Sequence, residues 1–225
     1  MTQSFPTDWN RAVVFVAHPD DPEYGMSAAV SRWVREGKRV EYVLATSGEA
    51  GIQGMPPDEC GPLREEEQRR AAAHVGVDVV DFLGFPDSRL ENTAELRVAV
   101  RSEIESRKPD LIVTLFTGPR FSPEIPNQSD HIEFGNAVLA AAEESAHEAG
   151  WVFESGPEPT HVVYVEDVDV ENAVASLAEH RVYLAVLDPD TPVLEQARAQ
   201  VDRMTMAGRG PRRVGFIEKR RGGGA

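Results

Sequence analysis

Residues 17–25 read AHPDDPEYG, so His18, Asp20 and Asp21 follow directly on the apolar run Ala12–Ala17. An imidazole and two adjacent carboxylates at the end of a buried strand are costly to desolvate unless something compensates them. A divalent cation would do so. Histidine and carboxylate oxygen are suitable zinc ligands, and a catalytic zinc takes three protein ligands while leaving a fourth position for water. Pro19 limits the backbone freedom between His18 and the aspartates, so that little entropy is lost in aiming them. The alternative is a plain turn and helix cap ahead of Gly25, a use to which aspartate is well suited. The metal reading therefore needs a further ligand from another part of the chain.

Asn127-Gln128-Ser129-Asp130-His131 offers one. Asp130 reads as the N-cap of a helix whose apolar or small positions run Phe134, Gly135, Val138, Leu139 and Ala142. Stepping back by three and four places His131 at the head of that core-facing stripe. A lone histidine there can equally be a satisfied core residue; its position after a long loop favours a site. His74, His147 and His161 have no motif around them and read as structural or surface residues, while His180, in a late helix, is a candidate neighbour of the site. Cys60 is the only cysteine, which rules out an internal disulfide and any cysteine-based zinc cage. It reads as a bystander thiol, and any metal must rest on histidine and carboxylate.

The elements that would position these residues alternate between strand and helix, the pattern of a mainly parallel sheet with helices on both faces. The spacing predicts strands over Ala12–Ala17, Val40–Thr46, Val79–Leu83, Leu111–Phe116 and His161–Val165. Helices are predicted over Gly25–Glu36, Pro62–Val75, Thr93–Arg107, His131–His147, Val170–Ala185 and Thr191–Met206. Two long Gly/Pro-rich loops, Ser47–Gly61 and Thr117–Asp130, follow predicted strands, where open parallel sheets build their ligand sites. A single domain over residues 1–225 is expected, with the basic segment Arg209–Arg221 and the glycines after it as a frayed terminus.

The 225 residues include 23 basic and 38 acidic side chains, a formal charge of -15 that opposes binding to a phosphate backbone. The longest apolar runs fall far short of the roughly 20 residues that cross a bilayer, and the N-terminus has neither a basic start nor an apolar core of a signal peptide. A cytoplasmic protein without nucleic-acid or membrane partners is expected, either monomeric or a homo-oligomer.

Taken together, His18-Pro19-Asp20-Asp21, Asp130-His131, and Arg64 with Glu67 opening a helix that ends His74-Val75-Gly76 resemble the PIG-L/LmbE-like zinc deacetylases. The match covers most of the chain in element order and is looser in the C-terminal third. The resemblance implies a Rossmann-like fold and zinc-dependent hydrolysis of an N-acyl group, usually acetyl on an amino sugar. By position His18, Asp21 and His131 would bind zinc and Asp20 would be the general base, with Fe2+ or another divalent ion able to use the same set. Many members carry a histidine three residues before the last ligand; here that position is Gln128. An amide donates a hydrogen bond to an oxyanion but supplies no proton at neutral pH. Zinc and Asp20 would then do more of the work, or His180 would stand in. Asp130 would orient a ligand or Gln128, with helix capping as the alternative. Arg64 matches a substrate-contacting arginine, against an i, i+3 ion pair with Glu67 on a solvated face. Asp87, in Gly84-Phe85-Pro86-Asp87, matches a position that binds sugar hydroxyls, against simple turn formation.

Two other readings compete. One keeps the metal and changes the substrate to a thiol conjugate or a secondary-metabolite intermediate. The other is a cofactor-binding module without hydrolytic function. Against the latter, the first strand is not followed by G-x-G-x-x-G, no G-x-x-x-x-G-K-[ST] occurs, and Gly48, Gly51 and Gly54 have the wrong spacing.

Overall fold

The computed structural model describes residues 2–208 and 210–221. Its strands are β1 (Gln3–Ser4), β2 (Arg11–Val16), β3 (Arg39–Leu44), β4 (Val80–Phe82), β5 (Leu111–Leu115), β6 (Trp151–Ser155), β7 (His161–Tyr164) and β8 (Arg213–Arg221). They form one sheet in the order β1-β7-β8-β6-β5-β2-β3-β4, parallel except where β8 pairs with β6 and β7. β2 and β5 are mainly apolar and buried along nearly their whole length, as parallel strands covered on both faces should be, with the Thr114 hydroxyl in β5 donating to the Phe15 carbonyl at 3.1 Å.

The helices are α1 (Asp21–Gly25), α2 (Ser27–Arg35), α3 (Pro57–His74), α4 (Ala94–Arg107), α5 (Ser129–Glu144), α6 (Asp167–Leu177), α7 (Arg181–Leu187) and α8 (Val193–Met204). From β2 the chain steps outward to β3 and β4, then returns past β2 to β5 and continues to β6. Because parallel crossovers are right-handed, this reversal puts α4 and α5 on the face opposite α2 and α3. The contacts agree: α4 packs on α5, α5 on β2 and β5, and α2 and α3 on α6. The carboxyl ends of β2 and β5 therefore flank the point where strand order reverses, the usual place for a ligand crevice.

Several boundaries differ from the sequence reading. The segment 209–221, expected to be frayed, contains β8, an interior strand of the sheet; Arg209 and residues 222–225 lie outside the described residues. Its alternation, with Val214 and Phe216 buried, is overshadowed in sequence by the arginines and lysine around it. β1, of two residues, and β6, Trp151–Ser155, are strands beyond those the spacing predicts. The predicted helix 170–185 is divided, α6 ending at Leu177 and α7 starting at Arg181, with fully buried His180 drawn inward between them. The helix expected from Gly25 begins four residues earlier and is interrupted at Met26. α3 starts at Pro57 rather than Pro62, using proline at the first helical position and shortening the preceding loop.

Candidate metal centre

β2 ends at Val16, and the next residues turn directly into α1. Asp20 makes that turn with φ 94°, a conformation costing a non-glycine residue on the order of 1–3 kcal/mol. Its carbonyl accepts the first helical amides, from Glu23 at 2.9 Å and Tyr24 at 3.0 Å. One oxygen of Asp21, Oδ2, accepts from the amides of Ala17 at 3.0 Å and His18 at 2.8 Å. The other, Oδ1, lies 3.0 Å from Nε2 of His131.

His131 is brought there by the opposite layer. It lies on the buried face of α5 with Phe134, Gly135, Val138 and Ala142, as the spacing predicts. A Cβ on Gly135 would come within 2.7 Å of Thr117 Cγ2 and 3.0 Å of the Leu115 carbonyl oxygen, so glycine lets the first turns of α5 press against the end of β5. Asp130 is not the N-cap. Gln128 occupies that position without a side-chain cap, and Asp130 sits in the first turn with its carboxylate turned inward. Its Oδ1 accepts from the Leu90 amide at 3.3 Å, and its Oδ2 is 3.2 Å from His18 Nε2.

His18 thus meets carboxylates on both sides of its ring. Nε2 faces Asp130 and, also at 3.2 Å, Asp87 Oδ1, while Nδ1 is 3.7 Å from Asp21 Oδ2. Asp87 is not merely a turn residue: its Oδ2 also accepts from Ala50 N at 2.8 Å. With the proton on Nε2, His18 donates toward that carboxylate pair and keeps Nδ1 as the lone-pair nitrogen, the usual arrangement of a metal-ligating histidine and its outer carboxylate.

The residues fit a cation. His18, Asp21 and His131 each present a ligand atom within 4.8 Å of the others, as do His18, Asp87 and Asp130. The first set is the better cradle because it offers two imidazoles and one carboxylate, whereas in the second the single imidazole nitrogen is already shared between Asp87 and Asp130. Both ring nitrogens of buried His131 lack a hydrogen-bond partner among the described residues; Nε2 approaches Asp21 closely without being aligned to bond it. The electrostatics point the same way. Burial lowers the pKa of His18, yet the carboxylates of Asp130, Asp87 and Asp21 raise it to about 10. Burial opposes ionisation of Asp21, but His131 and His18 beside it hold its carboxyl down at about 2. Asp20, where burial outweighs the stabilising charge of Arg64, is pushed up to about 6.

Arg64 reaches this point from α3. Neither its burial nor its partners match a solvated pair with Glu67. Its Nη2 donates to the Pro19 carbonyl at 2.5 Å and lies 3.2 Å from Asp20 Oδ1, Nη1 donates to the Gly48 carbonyl at 3.1 Å, and the guanidinium stacks 4.2 Å from the Tyr183 ring centre. Gly48 has φ +65°, and a Cβ there would sit 2.3 Å from Nη1. Glu67 instead accepts from the Val182 amide. Gln128 is exposed; its backbone N–H donates to Asn127 Oδ1 at 2.9 Å, while its side-chain amide meets no partner among the described residues.

His180 is held 3.3 Å from Glu23. His74 pairs with Glu179, His147 with the Pro109 carbonyl and His161 with Glu218, so these three belong to the scaffold. Sequence inspection did not single out Glu23, Gln68 or Tyr183 around the centre. The available signal was Gln68 at i+4 from Arg64 on one helix and Glu23 within the first motif.

The strand order and the buried ligand set define an α/β protein with a His/Asp centre capable of holding a divalent metal where the sheet reverses direction. The chain belongs to the family PIG-L: GlcNAc-PI de-N-acetylase, which matches residues 13–142, more than half its length. It is 28% identical over 136 residues to the probable N-acetyl-alpha-D-glucosaminyl L-malate deacetylase 2 of Bacillus anthracis, covering 57% of this chain and 58% of that one. The chain thus spans little more than half the length of that curated relative. Its fold is similar to that of N,N'-diacetylchitobiose deacetylase from Pyrococcus horikoshii, with TM-score 0.79 and 18% identity over 94% of this chain and 84% of that one. It is also similar to the 4-carboxy-2-hydroxymuconate hydratase of Pseudomonas putida, with TM-score 0.74 and 15% identity over 96% and 98% of the two chains. The fold alone therefore does not fix the reaction.

Proposed function

We propose that residues 1–225 form one Rossmann-like domain that removes an N-acetyl group from a small amino-sugar conjugate with the help of a divalent metal, zinc in the first instance. The observation that carries this is the convergence of His18, Asp21 and His131 from two distant segments, with Asp20 beside them, His131 Nε2 turned to Asp21 and buried His131 Nδ1 without a hydrogen-bond partner among the described residues. Family membership and similarity to the probable deacetylase of Bacillus anthracis support the same reading.

His18, Asp21 and His131 would hold the metal, which when bound acts as a Lewis acid toward an amide carbonyl and lowers the pKa of water. Asp20 takes the proton of the attacking water and returns it to the amide nitrogen as the C–N bond breaks, giving acetate and a free amine. Asp87 and Asp130 fix the His18 ring. Gln128 donates a hydrogen bond to the carbonyl oxygen as negative charge gathers on it. For Arg64 and Asp87 the proposal keeps substrate contact and adds the duties their partners indicate, Arg64 steadying Asp20 and Asp87 steadying His18. A cytoplasmic setting is part of the proposal, supported by a buried lone thiol and by the finding that no helix among the described residues is long and apolar enough to span a membrane.

The test is metal analysis of the purified protein together with the primary amine released from a panel of N-acetylated amino sugars and acylated thiol conjugates. Asp20→Asn is expected to keep its metal and lose about 10²–10⁴ in turnover. Normal turnover by that variant would overturn the base assignment. A metal-free protein stabilised by a dinucleotide would replace the hydrolase by a binding module.

A further inference from the structure

We infer that Gln68 is a positioning residue: clamped by the buried pair Glu23 and His180, it holds the backbone at Asp20 and thereby sets the aim of that carboxylate. The inference rests on the deacetylase reading for what Asp20 does, but not for how Asp20 is held.

Gln68 and His180 are fully buried, and Glu23 is 1% exposed. The amide of Asp20 donates to Gln68 Oε1 at 2.8 Å. On its other side, Gln68 Nε2 lies 3.2 Å and 3.3 Å from the two oxygens of Glu23. These contacts fix which way the side-chain amide faces. Turning it over would set its NH2 group against the Asp20 N–H and its oxygen against the Glu23 carboxylate, two repulsions in a site without room for water to relieve them.

Glu23 is itself fixed, with Ser176 Oγ 3.1 Å from Oε1 and His180 Nε2 3.3 Å from Oε2. The clamp therefore ties α1 and α3 to α6 and to the turn that splits α6 from α7. It acts at the residue whose φ of 94° most needs holding, since Asp20 would relax to a commoner conformation if released. Arg64 grips the carboxylate at Oδ1 and the preceding carbonyl, but it leaves the Asp20 amide to Gln68 alone. This also gives His180 a place in the centre different from replacing a proton donor: its contact is with Glu23, two residues past the metal motif, and it acts through Gln68.

Gln68→Met keeps the volume and removes the acceptor. Its kcat is expected to fall about tenfold to a hundredfold, with KM within about threefold and metal content unchanged, and the Asp20 amide should exchange with deuterium markedly faster in nuclear magnetic resonance spectra. Gln68→Glu should also be impaired, because two carboxylates then face each other. Adding Glu23→Gln restores an amide–carboxylate pair with its polarity reversed and should recover kcat together with protection of the Asp20 amide, which ties turnover to the clamp. A Gln68→Met protein with wild-type kcat, or with the Asp20 amide still protected, overturns the inference. Should that variant not fold, the isosteric Glu23→Gln carries the test: a several-fold loss of kcat with faster Asp20 exchange supports the clamp, and no change in either overturns it. If the wild type releases no amine from any N-acetylated sugar, the functional reading fails while amide exchange still judges the clamp.

Discussion

The half of the sheet from β2 to β5 and the half built by β6, β7 and β8 have divided the work between them. The first supplies the candidate ligands His18, Asp21 and His131 and the candidate base Asp20, from the turn and short helix α1 that follow β2 and from the first turn of α5, which follows β5. The second supplies none, yet Ser176, His180, Val182 and Tyr183 reach across to brace Glu23, Glu67 and Arg64 beneath the centre. The family match stops at residue 142, before the bracing half begins. The candidate ligands gather where the strand order reverses, and the contacts that brace them come from a part of the chain the sequence reading assigned no motif.

Substitutions that separate the two duties test this contrast. The largest effect is expected from His131→Ala, which should abolish metal binding and amine release while the protein stays folded, as read by plasma emission spectroscopy and circular dichroism. Phe216→Ala should do the reverse. Its ring is fully buried among Phe5 and Trp33, and the loss should be about 3–5 kcal/mol of unfolding free energy with metal stoichiometry retained in the folded fraction; loss of metal from folded protein would show the halves are not separable. Asp130→Asn should weaken metal affinity by about tenfold to a hundredfold in a competitive chelator titration, since it only orients His18. Smallest is Gln128→His, which offers a proton donor where the amide has none and should raise kcat a few-fold at unchanged metal content; an unchanged or lower rate would mean the amide is already sufficient there.

The first half was largely legible in sequence. Mainly apolar runs mark β2 and β5, and His131 falls on the stripe with Phe134 and Val138 that the helical period predicts. Thr93 marks the start of α4 and accepts from the Leu96 amide at 3.2 Å, as a capping threonine should. What escaped depends on partners remote in the chain. Asp130 reads equally as a cap and as a residue that orients a ligand until Leu90 and His18 claim its carboxylate, and Arg64 equally as a substrate contact and as half of a surface pair until Pro19, Gly48 and Asp20 surround it. β8 carries a two-residue alternation in Val214 and Phe216, but its basic composition resembles a solvated tail, and only pairing on both sides makes it interior. Local pattern identifies which residues can do chemistry; it does not reveal which neighbours the topology will deliver.

The placement of β8 also has a consequence in time. β6 and β7 lie on either side of it and do not pair with each other, so β1 and β7 are joined to the rest of the sheet only through a strand that begins at Arg213. At roughly 5–20 residues per second on the ribosome, the outer edge of β6 must wait about 3–12 s after Ser155 is made before its partner has been synthesised. During that interval the nascent chain exposes an unpaired apolar edge, the kind of surface on which neighbouring chains aggregate. With both chains held on the ribosome by a linker long enough to clear the exit tunnel, chaperone occupancy on the chain cut after residue 205 should exceed that on the chain that includes Arg221.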